Sequence, residues 1–171
     1  MINILISGLI SAIANRIRGG FYGDRIRQYI PWWGTTVSRI TYGFVLGSIA
    51  YSSSGELILS ASIVPTVWLG LAIGPFAPWQ FMQRSNDILT MSLRGLILVG
   101  ATSVAIGSLH DPISGFLYLI AGALMGPAYY IGSKLPAIRW IHEDPDNNDT
   151  NATSEVLFGL IQGLGLALVL S

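Results

Sequence analysis

Apolar residues run along this chain in six blocks, at about 1–17, 36–52, 57–76, 88–109, 113–132 and 154–170. A helix needs roughly 20 apolar residues to cross the hydrocarbon core of a bilayer, with about 17 as the lower limit. The pattern therefore predicts an all-α polytopic transmembrane bundle of about six spans, folded as a single integral membrane domain over residues 1–171. The first block is short, and Arg39 lies inside the second.

The polar breaks fit this division. SSSGE at 52–56 and HDP at 110–112 are tight connections of turn-forming residues, so spans two–three and four–five read as helical hairpins. Residues 16–35 are first basic and then aromatic, with Tyr29, Trp32 and Trp33, as expected of a strip at the headgroup level. Residues 133–153 form the one hydrophilic loop, ending in EDPDNNDTN.

Charge adds a direction. Arg16, Arg18, Arg25, Arg27 and Arg39 fall between or at the ends of spans one and two, Arg84 and Arg94 around spans three and four, and Lys134 and Arg139 between five and six. All lie on one side; the other side holds only Glu56, His110 and Asp111. Lysine and arginine mark cytoplasmic loops, so the expected topology places these loops in the cytoplasm and both termini outside. The NDT and NAT triplets at 148–153 are formal glycosylation sequons that this topology leaves on the cytoplasmic side.

Composition agrees. Hydrophobic residues make up 51% of the chain and charged residues 11%, with a mean hydropathy of +0.58. Soluble domains carry about 25% charged residues. A formal net charge of zero gives no support to nucleic-acid binding. The absence of cysteine excludes disulfides, thiolate metal sites and cysteine nucleophiles. The N-terminus lacks a basic n-region, so it is read as part of the mature protein rather than as a cleaved signal.

A shift of 52 residues aligns Gly43 with Gly95, Gly55 with Gly107, Gly70 with Gly122 and Gly74 with Gly126, and GLAIGP at 70–75 with GALMGP at 122–127. Segments 36–78 and 88–132 thus read as tandem hairpin repeats inserted in the same sense. Ser154, Gly159 and Gly163 match Ser38, Gly43 and Gly47, which would pair spans six and one as a third, chain-split hairpin. Glycines at four-residue spacing also serve simply to let helices approach.

No catalytic, metal or cofactor motif is present. The two histidines, His110 and His142, fall on opposite sides of the expected topology. Gly19, Gly20 and Gly23 lack nucleotide-loop spacing, and SSSG at 52–55 is not a nucleophile elbow. The binding candidates are ionisable residues at the membrane boundary: Arg16, Arg18, Arg25, Arg27, Arg39, Arg94 and Glu155. Guanidinium holds phosphate in a bidentate way, so anionic membrane lipids are the expected partners, and self-association into a homo-oligomer is compatible with the small-residue faces. Arg39, Arg94 and Glu155 read either as a polar mouth, with Glu155 pairing an arginine, or as side chains snorkelling to the headgroups.

NRIRGG at 15–20 after a short apolar N-terminus, PWWG at 31–34 and the glycine-rich body resemble small polytopic membrane proteins encoded by bacteriophages. That resemblance implies a bacterial inner membrane and a role in lysis, superinfection exclusion or genome delivery; it assigns no functional residue. The residues themselves point to a non-enzymatic pathway or binding cavity for a small solute, ion or lipid. An enzyme acting on lipid phosphates would need a base beside the arginines, where Asp24 is the only acid.

Overall fold

The computed structural model describes residues 1–20, 32–73, 88–132, 134–135 and 152–171. Arg25, Arg27 and most of the hydrophilic loop lie outside them, as do Pro75, Arg84, Arg139 and His142. The described residues are helical apart from short turns, with no strand among them. The helices are α1 (Ile2–Gly20), α2 (Trp32–Ser54), α3 (Leu57–Ile73), α4 (Ile88–Leu109), α5 (Pro112–Ala123), α6 (Met125–Gly132) and α7 (Ala152–Val169).

The fourth apolar block coincides with α4, and the others shift by a few residues. Trp32 and Trp33, read from the sequence as part of an interfacial strip, form the first turn of α2 instead. The fifth block is two helices. Pro127 has no N–H to give the carbonyl of Ala123, so the helix breaks at Leu124 and resumes at Met125. Among the described residues two stretches, Ile88–Leu109 and Pro112–Gly132, are by length and composition long and apolar enough to cross a membrane; Leu57–Ile73 and Thr153–Val169 are shorter apolar helices.

Turn chemistry sets the hairpins. Gly55 ends α2 with φ at +73°, a left-handed conformation that glycine adopts without a Cβ clash, and its N–H reaches the Tyr51 carbonyl at 2.8 Å. Asp111 caps α5: one carboxylate oxygen accepts the N–H groups of Ile113 and Ser114, each at 2.9 Å, and Pro112 follows as the first helical residue. The two turns meet, because His110 Nδ1 lies 3.0 Å from Glu56 Oε1.

Antiparallel neighbours close a ring. α1 packs mainly on α7, α2 on α3 and α4 on α5; contacts of α3 with α4, α6 with α7 and α1 with α2 complete the circuit, and α2 also touches α7. Glycines allow the close approaches. A methyl at Gly43 would lie 2.8 Å from the Val64 carbonyl oxygen, and one at Gly163 would lie 2.6 Å from that of Ser7. Gly95 and Gly122 face one another across α4 and α5, and Gly70 meets the Leu98 carbonyl of α4.

Polarity across α1 is inverted relative to a helix on the surface of a water-soluble protein. Ser7, Ser11, Asn15 and Arg16 are buried, while Ile2, Leu5, Leu9, Ile13 and Ile17 on the outer face are 43–72% exposed. The same sense holds elsewhere: only 28% of the apolar stretch of α4 is buried, whereas the core helix of a soluble protein would be mostly covered.

Candidate functional site

The inward polar groups gather between α1, α2 and α7 in three tiers. Asn3, Ser7, Ser11 and Asn15 recur every four residues, which stacks them along one helical face. That stripe faces α7, where Gly159 and Gly163 let the backbones close in.

The uppermost tier, near the hairpin turns, is a cleft of about 770 Å³. Asn3, Ser7, Ser48, Ser52, Ser53 and Ser171 give it hydrogen-bonding groups. Ile4, Ile10, Val45, Ile49 and Ala167 supply its apolar wall. α1 meets α2 much less than it meets α7, which leaves the cleft open between them.

One helical turn deeper, the Tyr42 hydroxyl donates to Gln162 Oε1 at 2.5 Å and lies 3.1 Å from Ser11 Oγ. All three residues are buried, so each depends on the others for partners that water cannot supply. Tyr118 is buried on α5 beside α7, its ring 3.9 Å from a methyl built at Gly165; its hydroxyl has no hydrogen-bond partner among the described residues.

The third tier holds the charge. Arg16 Nη1 pairs with Glu155 Oε2 at 3.2 Å, and the two side chains are only 4% and 9% exposed. Asn15 Nδ2 donates to the Glu155 carbonyl at 2.7 Å and its Oδ1 accepts from Arg18 Nε at 2.9 Å. The Arg18 guanidinium sits 5.7 Å from the centre of the Tyr42 ring, joining the two lower tiers by a cation–π contact.

Of the candidates named from sequence, Arg16, Arg18 and Glu155 thus form one cluster. The partner of Glu155 is Arg16 from α1. Arg39 is half-buried near the start of α2. Arg94 is half-buried on α4, within electrostatic reach of Tyr129, as are Glu155 and Arg18; its Nε is buried without a hydrogen-bond partner among the described residues. Sequence reasoning overlooked Ser11, Asn15, Tyr42 and Gln162, although the four-residue polar spacing in an isoleucine-rich helix marked the first two. Among the described residues no group of three histidine, aspartate or glutamate side chains could hold a metal ion.

Comparison of the chain with protein-family models, with curated proteins and with solved structures finds no match.

Proposed function

We propose that this is an integral membrane protein of six spans whose α1–α2–α7 interface provides a pathway or binding cavity for a small solute. The observation that carries the reading is the inverted polarity of α1. Exposed isoleucines and leucines are at home in hydrocarbon, where every span must also satisfy its own backbone. The inward serines, asparagine and arginine have no such reason to be there. Buried polar groups cost free energy unless paired, and a bundle that needed only to fold would be filled more simply with apolar side chains. Polar groups facing a bundle interior mark solute and ion paths.

In this reading α5 and α6 are one broken span, the arginine-bearing end is cytoplasmic, and the cleft opens on the opposite side. The close pairs α1–α7, α2–α3 and α4–α5 support a repeat of hairpin order. That repeat does not extend to every contact, since Gly70 and Gly122, equivalent at the 52-residue offset, both pack on α4. The inner tiers, tied by Tyr42–Gln162 and Arg16–Glu155, narrow the pathway toward the basic end.

The test is release of a graded solute panel from proteoliposomes, paired with the thermal stability of the purified protein against the same panel. Release of small members with retention of large ones, or a rise in Tm with one of them, is the expected result. Sealed vesicles together with an unmoved Tm across the panel overturn the reading.

A further inference from the structure

The cleft is graded in polarity along its length. Its end beside the hairpin turns is lined by Asn3 of α1 and by Ser52 and Ser53 of α2. One helical turn farther in come Ser7 and Ser48, and a turn beyond them Ile10 and Val45. The cleft also opens sideways. Ile6 and Ile10, which line it, belong to the exposed outer row of α1 that Leu9 and Ile13 continue, and Ser48 lies on the exposed face of α2 one turn from Phe44. Resting on the membrane reading above, we infer that the cleft lodges a glycerolipid drawn from the surrounding leaflet, with its ester groups among the serines and one acyl chain between Ile10 and Val45.

Ester carbonyls accept hydrogen bonds and donate none, so a site for them must supply donors. Asn3, Ser7, Ser52 and Ser53 make no side-chain hydrogen bond to another described residue, which leaves an amide N–H pair and three hydroxyls to donate. Ser48 has already given its proton to the Phe44 carbonyl at 2.8 Å. An acyl chain needs a wall without polar groups, and Ile4, Ile10, Val45 and Ile49 form one. The volume of about 770 Å³ is within the range of pockets that enclose organic ligands.

The order of these groups matches the order within a leaflet, where esters lie beneath the headgroups and chains lie deepest. A solute that enters from water gains nothing from an apolar far end or from an opening toward hydrocarbon; a lipid uses both. The glycerol ester and the chain are what the lining recognises, and the headgroup is left in water beyond Asn3. The bound molecule of the cavity is thus named as lipid, supplied from the side of the bundle rather than from its end.

The test is photo-crosslinking of the full chain in vesicles doped with a phosphatidylcholine that carries a diazirine halfway along one acyl chain, with the adducts mapped by mass spectrometry. Ile49 and Ala167 line the cleft yet are only 5% and 1% exposed, so a chain that stays in bulk lipid meets Leu9, Ile13 and Phe44 instead. Adducts are expected at Ile49 and Ala167, and Val45→Trp, which fills the deep end, should lower them several-fold while those at Leu9 and Ile13 persist. A second measurement does not depend on that variant. The chain has no native cysteine, so Val45→Cys and Ser52→Cys each carry a sole thiol. A charged thiol reagent should modify Ser52→Cys and spare Val45→Cys. Adducts confined to Leu9, Ile13 and Phe44, with Val45→Cys reacting as fast as Ser52→Cys, overturn this inference and leave a water-filled solute cavity standing. Adducts so confined with Val45→Cys still unreactive overturn the inference and the cavity together, because the cleft then admits neither lipid nor water.

Discussion

The hydroxyl of Tyr42 donates to the side-chain carbonyl of Gln162 at 2.5 Å, joining helices whose residues are 120 positions apart in the chain. Ser11 Oγ, 3.1 Å away, brings α1 into the same knot. Removing the hydroxyl leaves a buried amide oxygen and a buried serine short of a partner, at a cost of about 1–3 kcal/mol. Tyr42→Phe should therefore lower the unfolding midpoint in detergent with unchanged helical content by circular dichroism. An unaltered midpoint would mean that the three groups are solvated in another way.

The Arg16–Glu155 pair makes a sharper prediction. Losing one member of a buried pair leaves an uncompensated charge and typically costs about 3–5 kcal/mol, whereas replacing both by apolar residues is often neutral. Glu155→Leu should destabilise strongly, and Arg16→Met combined with Glu155→Leu should recover most of the loss. Additive losses in the double variant would count against a pair isolated from water.

Two glycines of equal helix propensity should behave oppositely. A methyl at Gly163 meets the Ser7 carbonyl oxygen at 2.6 Å and Gly8 Cα at 3.0 Å, while one at Gly100 meets nothing within 4 Å. Gly163→Ala should cost about 1–3 kcal/mol through overpacking. Gly100→Ala should be neutral, or stabilising by up to about 1 kcal/mol. Thermal denaturation of the pair under one detergent condition separates the two outcomes.

At the hairpin turns, hydrogen bonds from the Ser114 side chain and backbone, with that from Ile113, hold the Asp111 carboxyl below its ordinary value of 3.8. A lowered folded-state pKa contributes stability that is present above the ordinary value and fades as pH falls through the lowered one. Stability should thus drop on acidification below about pH 4. Asp111→Asn should keep the helix cap yet lose that part of the pH dependence; Asp111→Ala should lower Tm at neutral pH as well. A Tm-against-pH profile identical in all three proteins would sink this assignment.

Topology has its own test. Ser54→Cys and Asp111→Cys should react with an impermeant thiol reagent added to intact cells, and Asn147→Cys should react only after permeabilisation. The reverse labelling would invert the bundle, placing the cleft on the cytoplasmic side.

Much of the architecture was legible because the apolar blocks are long and their breaks carry strong turn signals. Gly55 and Asp111–Pro112 set the two hairpin turns, and α4 coincides with its apolar block. Trp32 and Trp33 fall in the first turn of α2 rather than before it, because an indole suits both a headgroup strip and a first helical turn. The break at Leu124 was signalled by Pro127 alone, and a proline near a helix end does not say whether the helix stops or resumes. Arg16 and Glu155 could each be named from the cost of placing charge near hydrocarbon. Their pairing could not, because it depends on α1 lying beside α7, a contact between the two ends of the described chain. The Ser7–Ser11–Asn15 stripe was readable as a period, but serine in an apolar helix can bond its own backbone, so the period alone did not announce a cleft.

The contact between α1 and α7 also sets an order of events during synthesis. Asn15 and Arg16 leave the ribosome 140 and 139 residues before their partner Glu155. At roughly 5–20 residues per second, that delay is on the order of ten seconds. Through it the first helix carries a cation and an amide without their native partners. In the proposed membrane setting, the nascent chain must either hold that helix at the membrane surface or shelter it against the insertion machinery until the last helix arrives. A chain truncated before α7 would keep this polar face open for good, giving quality-control proteases a persistent signal.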